Sequence, residues 1–188
     1  MKRTILFALA ACLAVPPAAL AQEVSVSTSS AADGTRTLIH EVTVPAPPEA
    51  VWTAISTADG WKTWAAPVAW APDADTIETS YLPTAQPGDA TTIRQHIVMR
   101  VPGQLLVFST VKAPAGFPHF ETYAKVLSYL QLERAGAATR VRLTQTGYPA
   151  NEAGEQLLRF FETGNRETLE LLHRRFVDGP IDWSKPKQ

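Results

Sequence analysis

The feature that most constrains the fold is a long amphipathic segment near the C-terminus. Apolar residues recur there at three- and four-residue steps, the period of one face of an α-helix. Asn151 is suited to cap the start of this helix, and Asp178-Gly179-Pro180 is suited to end it. The segment predicts a helix of about 24 residues, roughly 36 Å long at 1.5 Å per residue. Its apolar stripe consists of Leu157, Leu158, Phe161, Leu169, Leu172 and Phe176, and Asn165 interrupts it.

An apolar stripe of that length needs an equally long apolar surface, and the middle of the chain can supply one. Five segments rich in β-branched and aromatic residues follow one another, and turn sequences such as Pro102-Gly103 separate most of them. Short connections favour an antiparallel meander, because parallel strands need long crossovers. The predicted strands are residues 76–81, 91–101, 105–112, 120–133 and 139–147.

The chain before this meander predicts another strand and a short helix. Residues 37–44 carry the strand pattern, and Pro45 stops the strand because proline has no backbone N–H group to donate. Pro48 suits the first turn of a helix over residues 48–56, since its fixed φ angle is already helical.

A second short helix is predicted directly afterwards. Asp59 can cap its start, and Pro67 ends it. Trp61 and Trp64 are three residues apart and therefore lie on the same side of this helix. Together these elements predict an α+β domain in which the antiparallel sheet and the long C-terminal helix cover each other.

The first 21 residues have the pattern of an export signal. Lys2 and Arg3 form a positive start, residues 5–15 are an unbroken apolar run, and Ala19-Leu20-Ala21 offers the small-x-small pattern for signal peptidase. The apolar run is too short to span a bilayer, which needs about 20 residues. The sequence predicts cleavage near Gln22 and a periplasmic or secreted protein with no stable membrane insertion after cleavage.

An alternative interpretation treats Leu9-Ala10-Ala11-Cys12 as a lipobox, in which Cys12 is lipidated and becomes the first mature residue. The apolar stretch before Cys12 is short for that role, and the Ala-Leu-Ala site lies just beyond it. Cys12 is the only cysteine, so a chain cleaved after Ala21 can form no disulfide. Its stability would then come from the core alone.

The mature chain is predicted to have three parts. Residues 22–36 are rich in Ser, Thr, Ala, Asp and Gly, and predict a flexible segment or at most a loosely attached first strand. Residues 37–178 form the domain, and residues 179–188 form a tail. The formal net charge is −1 and the basic residues are scattered, so nucleic acid is not an expected partner.

Four motifs stand in a specific order along the domain. They are VTVPAPPEAVW at residues 42–52, GWKTW at residues 60–64, TQTGY at residues 144–148, and, in the last helix, Phe160-Phe161, Gly164-Asn165, Leu169 and Arg175-Phe176. The first motif resembles the opening of the START-like superfamily, also called SRPBCC, Bet v 1-like or helix-grip proteins. The others resemble successive segments of the branch named for the activator of Hsp90 ATPase.

The resemblance implies a helix-grip fold, in which a curved antiparallel β-sheet wraps around a long C-terminal α-helix. Two short helices follow the first strand, and a cavity lies between sheet and helix. Members bind lipids, sterols, polyketides or other apolar molecules, and a minority are enzymes. The group shares no catalytic motif, so no catalytic residue is carried over. An export signal is unusual for this branch and argues against a co-chaperone role.

The residue types used in common catalytic sites give little support for covalent, metal or cofactor chemistry. His40, His96, His119 and His173 are scattered singly, whereas metal ligands come in close sets. No nucleophile elbow, phosphate loop or dinucleotide fingerprint occurs in the sequence. We therefore expect no metal and no cofactor.

Large apolar and aromatic residues are the candidates for the walls of the implied cavity. Each of them could instead belong to a filled core, because aromatic residues are large buried residues in any fold. The candidate ligand-binding residues are Trp61, Trp64, Trp70, Tyr81, Met99, Phe108, Tyr123, Gln145, Phe161, Asn165 and Leu169.

Asn165 is the most informative polar candidate, because it lies within the apolar stripe of the long helix. A buried amide without a partner costs about 1–3 kcal/mol. Two alternatives would provide that partner: a bound ligand, or Gln145 or another residue of the sheet.

Residues 91–101 present two different faces. Arg94 and His96 share one face, and Ile93, Ile97 and Met99 share the other. The apolar face is predicted to lie inside the grip, with Arg94 and His96 on the wet side. In the inverted arrangement, Arg94 would bind an anion or carboxylate in the pocket.

These observations favour a non-enzymatic carrier or sensor of a small apolar ligand such as a lipid, an isoprenoid or a polyketide-like molecule. One alternative is a cofactor-free cyclase- or hydratase-type enzyme, which needs a titratable side chain in the pocket. Another is a protein-interaction domain with a filled core and an exposed patch. A carrier requires a cavity lined mostly by carbon.

Overall fold

The computed structural model describes residues 23–185. The predicted export signal over residues 1–21, with Cys12, lies outside the described residues, as do residues 186–188 of the predicted tail. Within the described range, no helix is both long enough and apolar enough to cross a membrane.

The domain is a single antiparallel sheet of eight strands in the order β1-β2-β8-β7-β6-β5-β4-β3, with one long helix against it. The strands are β1 Ser25–Ser30, β2 Arg36–Val44, β3 Val68–Trp70, β4 Thr76–Ser80, β5 Ile93–Val101, β6 Leu105–Lys112, β7 Leu127–Ala135 and β8 Ala138–Tyr148. The helices are α1 Pro48–Ser56, α2 Ala58–Trp61, α3 Phe120–Tyr123 and α4 Glu152–Val177. This α+β helix-grip architecture confirms the predicted fold class.

The long helix and the meander follow the sequence closely. Asn151 caps α4, its side chain accepting a hydrogen bond of 2.9 Å from the backbone N–H of Gly154. Strand β6 has the predicted bounds, and β4, β5 and β8 differ from prediction by one or two residues at their ends. The predictions hold here because these segments have strong periodicity and clear turn residues at their ends.

The predicted strand over residues 120–133 is wrong in its first part. Residues Phe120–Tyr123 form the single helical turn α3, and β7 begins only at Leu127. His119, immediately before α3, adopts a left-handed φ of 54°, which is uncommon for a residue other than glycine. The aromatic and β-branched composition of this segment favours a strand, so tertiary packing decides the structure here.

Two smaller features also differ from the predictions. The cap of α2 is Thr57, whose hydroxyl accepts a hydrogen bond of 2.9 Å from the Gly60 N–H, and not Asp59. The segment before residue 37 contains β1, which pairs with β2 along its whole length from Ser25 to Ser30. It is therefore an edge strand of the sheet, which is the second of the two alternatives that the sequence left open for this segment.

The outer face of β4 and β5 carries a buried carboxylate. The Glu78 side chain has no exposed surface, and it pairs with Arg94 at 2.9 Å and with Lys112 at 3.9 Å. The loop after β4 covers it, because the Gly88 N–H donates to Glu78 at 2.8 Å. Arg94 lies on the wet side as predicted, and it is held by Glu78 rather than available to an interior ligand.

Helix α4 is attached to β2 at three points along its length. Near its start, Arg36 pairs with Glu155 at 2.7 Å. In the middle, Nε2 of His40 donates to the Glu162 carbonyl at 3.0 Å. Near its end, Nδ1 of His173 donates to the carbonyl of Thr43 at 2.8 Å. The helix therefore lies over β1, β2 and β8, which are its main contacts in the sheet.

The buried His40 gives this attachment a pH dependence. Its side chain has no exposed surface, and its Nδ1 atom has no hydrogen-bond partner among the residues that the structure describes. Burial lowers the pKa of His40 below its usual value of 6.5, and the nearby charge of Arg166 acts in the same direction. The Glu162 carbonyl and carboxylate oppose this shift. The folded state therefore favours the neutral ring.

We predict that the protein loses stability as the pH falls below 6.5, because the unfolded chain then binds a proton that folded His40 resists. The free energy of unfolding should fall by up to about 1.4 kcal/mol per pH unit. Urea unfolding at pH 7.5 and pH 5.5 measures this loss. His40→Gln should reduce the difference, whereas His96→Gln on the exposed outer face should preserve it. An unchanged pH dependence in His40→Gln would contradict this assignment.

Candidate functional site

The concave face of the sheet is apolar over most of its area. Alternation along each strand places Ile97, Phe108, Leu130 and Leu143 on this side, and all four are buried. The register pairs Ile97 with Phe108, and Leu130 with Leu143. The helices pack against this apolar surface.

Trp61 and Trp64 fill the space beneath α1. Their indole N–H groups donate to the backbone carbonyls of Ile55 at 2.6 Å and Ala54 at 2.9 Å. Trp61 also meets the Phe108 ring edge-on, with 6.4 Å between centroids. Both tryptophans are therefore fixed core residues, and Trp61 also borders the centre of the concave face.

Gln145 is the centre of a buried polar network on β8. Its Oε1 atom accepts hydrogen bonds from the Tyr148 hydroxyl at 2.6 Å and from Nδ2 of Asn165 at 2.7 Å. Its Nε2 atom donates to the Ser128 hydroxyl at 3.1 Å. Gln145 is therefore the partner of Asn165, one of the two predicted alternatives, and the network ties α4 to the sheet.

A second polar group lies on β5, β6 and α3. Gln95 and Thr110 are directly opposite each other in the register, and both are buried. Tyr123 is also buried, and burial raises the pKa of its hydroxyl to about 12. Thr110 and Gln145 are near enough to Tyr123 to act against that shift. Tyr123 therefore lies between the two polar groups and is uncharged at neutral pH.

The two polar groups differ in how well they are satisfied. Within residues 23–185, side-chain hydrogen bonds join Ser128, Gln145, Tyr148 and Asn165. The Oε1 atom of Gln95, by contrast, is buried and has no hydrogen-bond partner in that range. Buried polar atoms are usually paired, so this atom marks the part of the concave face with an unused hydrogen-bonding group.

Aromatic rings cover this part of the concave face. Phe161 on α4 stacks on Tyr123 with 4.3 Å between centroids and 22° between planes. Phe117 meets both rings, at 5.6 Å from Tyr123 and 6.3 Å from Phe161. Phe160, the neighbour of Phe161, is 56% exposed. The Phe161 ring stacked on Tyr123 therefore lies between solvent and the polar group of Gln95, Thr110 and Tyr123.

Tyr81 stands at the rim of the grip, just after β4. Its side chain is 66% exposed, so it is not a buried wall. Surrounding protein nevertheless raises the pKa of its hydroxyl, and the Glu167 charge on α4 adds to this effect. Tyr81 therefore lies on the surface at the end of β4, within range of the Glu167 charge on α4.

The structure places most of the predicted lining residues inside the grip and two outside it. Trp70 is opposite Glu78 in the register and therefore lies on the outer face. Met99 is 52% exposed, because a bulge between Ile97 and Met99 breaks the alternation and turns its side chain outward. The interior residues are Trp61, Trp64, Phe108, Tyr123, Gln145, Asn165 and Leu169, with Phe161 half-buried beside them.

The sequence missed part of the polar set. Gln95 is not among the sequence candidates, although it lies two residues from both Ile93 and Ile97. The same alternation that predicts an interior position for these two isoleucines also predicts one for Gln95. Ser128 belongs to the predicted strand 120–133, whose first residues are wrongly predicted. Nothing in the sequence distinguishes Thr110 from the other residues of its strand. The polar groups become recognisable as a set only when the strand register brings them together.

Two depressions of the surface lie outside the grip. One, of about 350 Å³, is on the outer face beside Arg140 and Arg142. The other, of about 490 Å³, lies beside Trp52 on α1 and the turn at Gly103. Within residues 23–185, no group of three His, Cys, Asp or Glu side chains is arranged to hold a metal ion.

The fold and the sequence are similar to known proteins. The family described as polyketide cyclase / dehydrase and lipid transport matches residues 35–177. A search of curated proteins finds no significant match.

Solved structures share the architecture at low sequence identity. The Aha1 dimer from Colwellia psychrerythraea is 18% identical with a TM-score of 0.59, and the match covers 76% of this chain and 97% of Aha1. CalU16 from Micromonospora echinospora is 20% identical with a TM-score of 0.57, covering 87% and 88%. XoxI from Bacillus cereus is 20% identical with a TM-score of 0.58, covering 76% and 96%. At these identities the similarities show the fold alone.

The match over residues 35–177 and the helix-grip architecture together confirm the resemblance found in the sequence, and the chain belongs to the polyketide cyclase / dehydrase and lipid transport family of START-like proteins.

Proposed function

We propose that this domain binds a small apolar molecule of the lipid, isoprenoid or polyketide-like class, and that it does so after export from the cytoplasm. The bound molecule lies on the concave face between β5, β6, α3 and α4. The family match supports a ligand-binding domain, while the class of ligand and the export are our inference.

The observation that carries this proposal is the chemistry of the concave face. Phe108, Ile97 and Tyr123 provide carbon surface, and burial of such surface supplies most of the affinity for an apolar ligand. The polar groups between them are amides and hydroxyls, which orient a ligand without carrying charge. The Tyr123 hydroxyl, with a pKa of about 12, stays protonated at neutral pH and acts as a hydrogen-bonding group.

Binding requires a local rearrangement, because Phe108 and Tyr123 are each only 8% exposed. The stack of Phe161 on Tyr123 is the element best placed to move. It joins α4 to the short helix α3, and the exposed Tyr81 at the rim lies near Tyr123 of α3 and Glu167 of α4. A ligand would enter at this rim and replace the ring contacts with its own.

The site is tested by measuring the Kd of the fluorescent apolar probe N-phenyl-1-naphthylamine for the wild-type protein and for variants of the adjacent residues Phe160 and Phe161. We predict saturable, one-to-one binding to the chain without residues 1–21. Phe161→Ala should lower the probe's Kd by up to about tenfold, because it removes a ring stack of about 0.5–1.5 kcal/mol that the probe must otherwise displace from Tyr123. Phe160→Ala is the comparison variant and should change Kd less, since the Phe160 ring is 56% exposed and meets Phe161 edge-on at 5.1 Å without contacting Tyr123 as a stacked ring.

Equal effects of the two substitutions would place the probe elsewhere and contradict the proposed site. A wild-type protein that binds no probe would contradict the ligand-binding function and favour the protein-interaction alternative. Thermal unfolding of both variants shows whether either substitution acts through loss of the fold.

Export is tested by the intact mass of the protein recovered from outside the cytoplasm. We predict the mass of a chain that begins at Gln22, because Ala19-Leu20-Ala21 provides the peptidase site. The mass of a diacylated chain beginning at Cys12 would show the lipoprotein alternative. Retention of the full chain inside the cell would contradict export.

A further inference from the structure

Gln95 is buried on the concave face, and its amide oxygen is unpaired among residues 23–185. Gln95 is only 9% exposed, and Thr110 lies directly opposite it on β6. Ile97, two residues further along β5, belongs to the apolar core. The Gln95 side chain therefore shares the concave face with apolar neighbours.

The Oε1 atom of Gln95 is buried and has no hydrogen-bond partner within residues 23–185. An amide oxygen removed from water without a partner destabilises the folded state. Gln145, on the same face, shows the usual arrangement, because its Oε1 atom accepts two hydrogen bonds and its Nε2 atom donates one. The amide oxygen of Gln145 is thus fully used within the protein, whereas the amide oxygen of Gln95 is free to accept a hydrogen bond from a ligand.

The surroundings of Gln95 define the group that would pair with it. Thr110 lies directly opposite Gln95 on β6, and the Tyr123 hydroxyl is near Thr110 and Gln145. The nearest cations on these strands, Arg94 and Lys112, lie on the outer face and contact Glu78. Neither of these two cations is therefore available to an anionic group beside Gln95 on the concave face.

A neutral hydroxyl fits these surroundings best. A hydroxyl can donate a hydrogen bond to the amide oxygen of Gln95. If the amide rotates by half a turn, the same hydroxyl can instead accept a hydrogen bond from the amide nitrogen. A pure hydrocarbon would leave the Gln95 oxygen unpaired, and a site with an unpaired polar group discriminates against such a ligand.

We propose that the concave face selects apolar molecules that carry a hydroxyl group, and that Gln95 binds this hydroxyl. This inference rests on the proposed ligand-binding function and assigns the specificity of that site. Gln95 is then the residue that distinguishes an alcohol or phenol from the corresponding hydrocarbon.

The test compares 1-naphthol with naphthalene, which lacks the hydroxyl group. Isothermal titration calorimetry measures the Kd of each for the wild-type chain without residues 1–21, for Gln95→Leu and for Gln95→Met. Wild type should bind 1-naphthol about tenfold more tightly than naphthalene, as expected for one hydrogen bond to a buried group. Both variants should lose this preference and bind naphthalene at least as tightly as wild type does.

Gln131→Leu is the matched control, since Gln131 is exposed on β7 and should leave the preference unchanged. The Gln95 variants should unfold at the wild-type temperature or above it, because each removes an unpaired buried polar atom. Equal Kd values for the two probes in wild type, or a preference retained in either Gln95 variant, would overturn this inference while the proposed function stands. Absence of binding by both probes would overturn both.

Discussion

The attachment of α4 along β2 determines where everything else in this protein can lie. A salt bridge from Arg36, a hydrogen bond from His40 and a hydrogen bond from His173 hold the helix at its start, middle and end. The amphipathic stripe therefore packs over β1, β2 and β8. Over β6 the concave face meets the smaller elements, with Trp61 of α2 packed edge-on against Phe108 and Tyr123 of α3 near Thr110.

The polar residues of the concave face follow the same division. Near α4 they form a complete network around Gln145, which fixes the helix to the sheet. Further from α4, the buried oxygen of Gln95 is left without a partner. A buried amide is retained at a cost to stability, and a binding site is a physical reason to retain it. The proposed hydroxyl specificity connects this local defect in hydrogen bonding to the function of the domain.

Much of the fold could be predicted from the sequence, because α4 and most of the strands have strong periodicity and clear caps or turns. The failures have specific physical causes. The segment at Phe120–Tyr123 has a strand-like composition but is packed as a helical turn. Met99 was assigned to the interior, and a single bulge reverses its direction. The site was less predictable, because an unpaired atom such as Oε1 of Gln95 is defined by neighbours that are distant in the sequence.

The central claim is that an apolar molecule binds on the concave face beside Gln95, Thr110 and Tyr123. Intermolecular nuclear Overhauser effects between bound 1-naphthol and the isotope-labelled protein test this claim most directly. The account predicts contacts from the probe to the Thr110 methyl group and to the rings of Phe108 and Tyr123. Contacts confined to the depression beside Trp52, or to the outer face at Arg142, would contradict it.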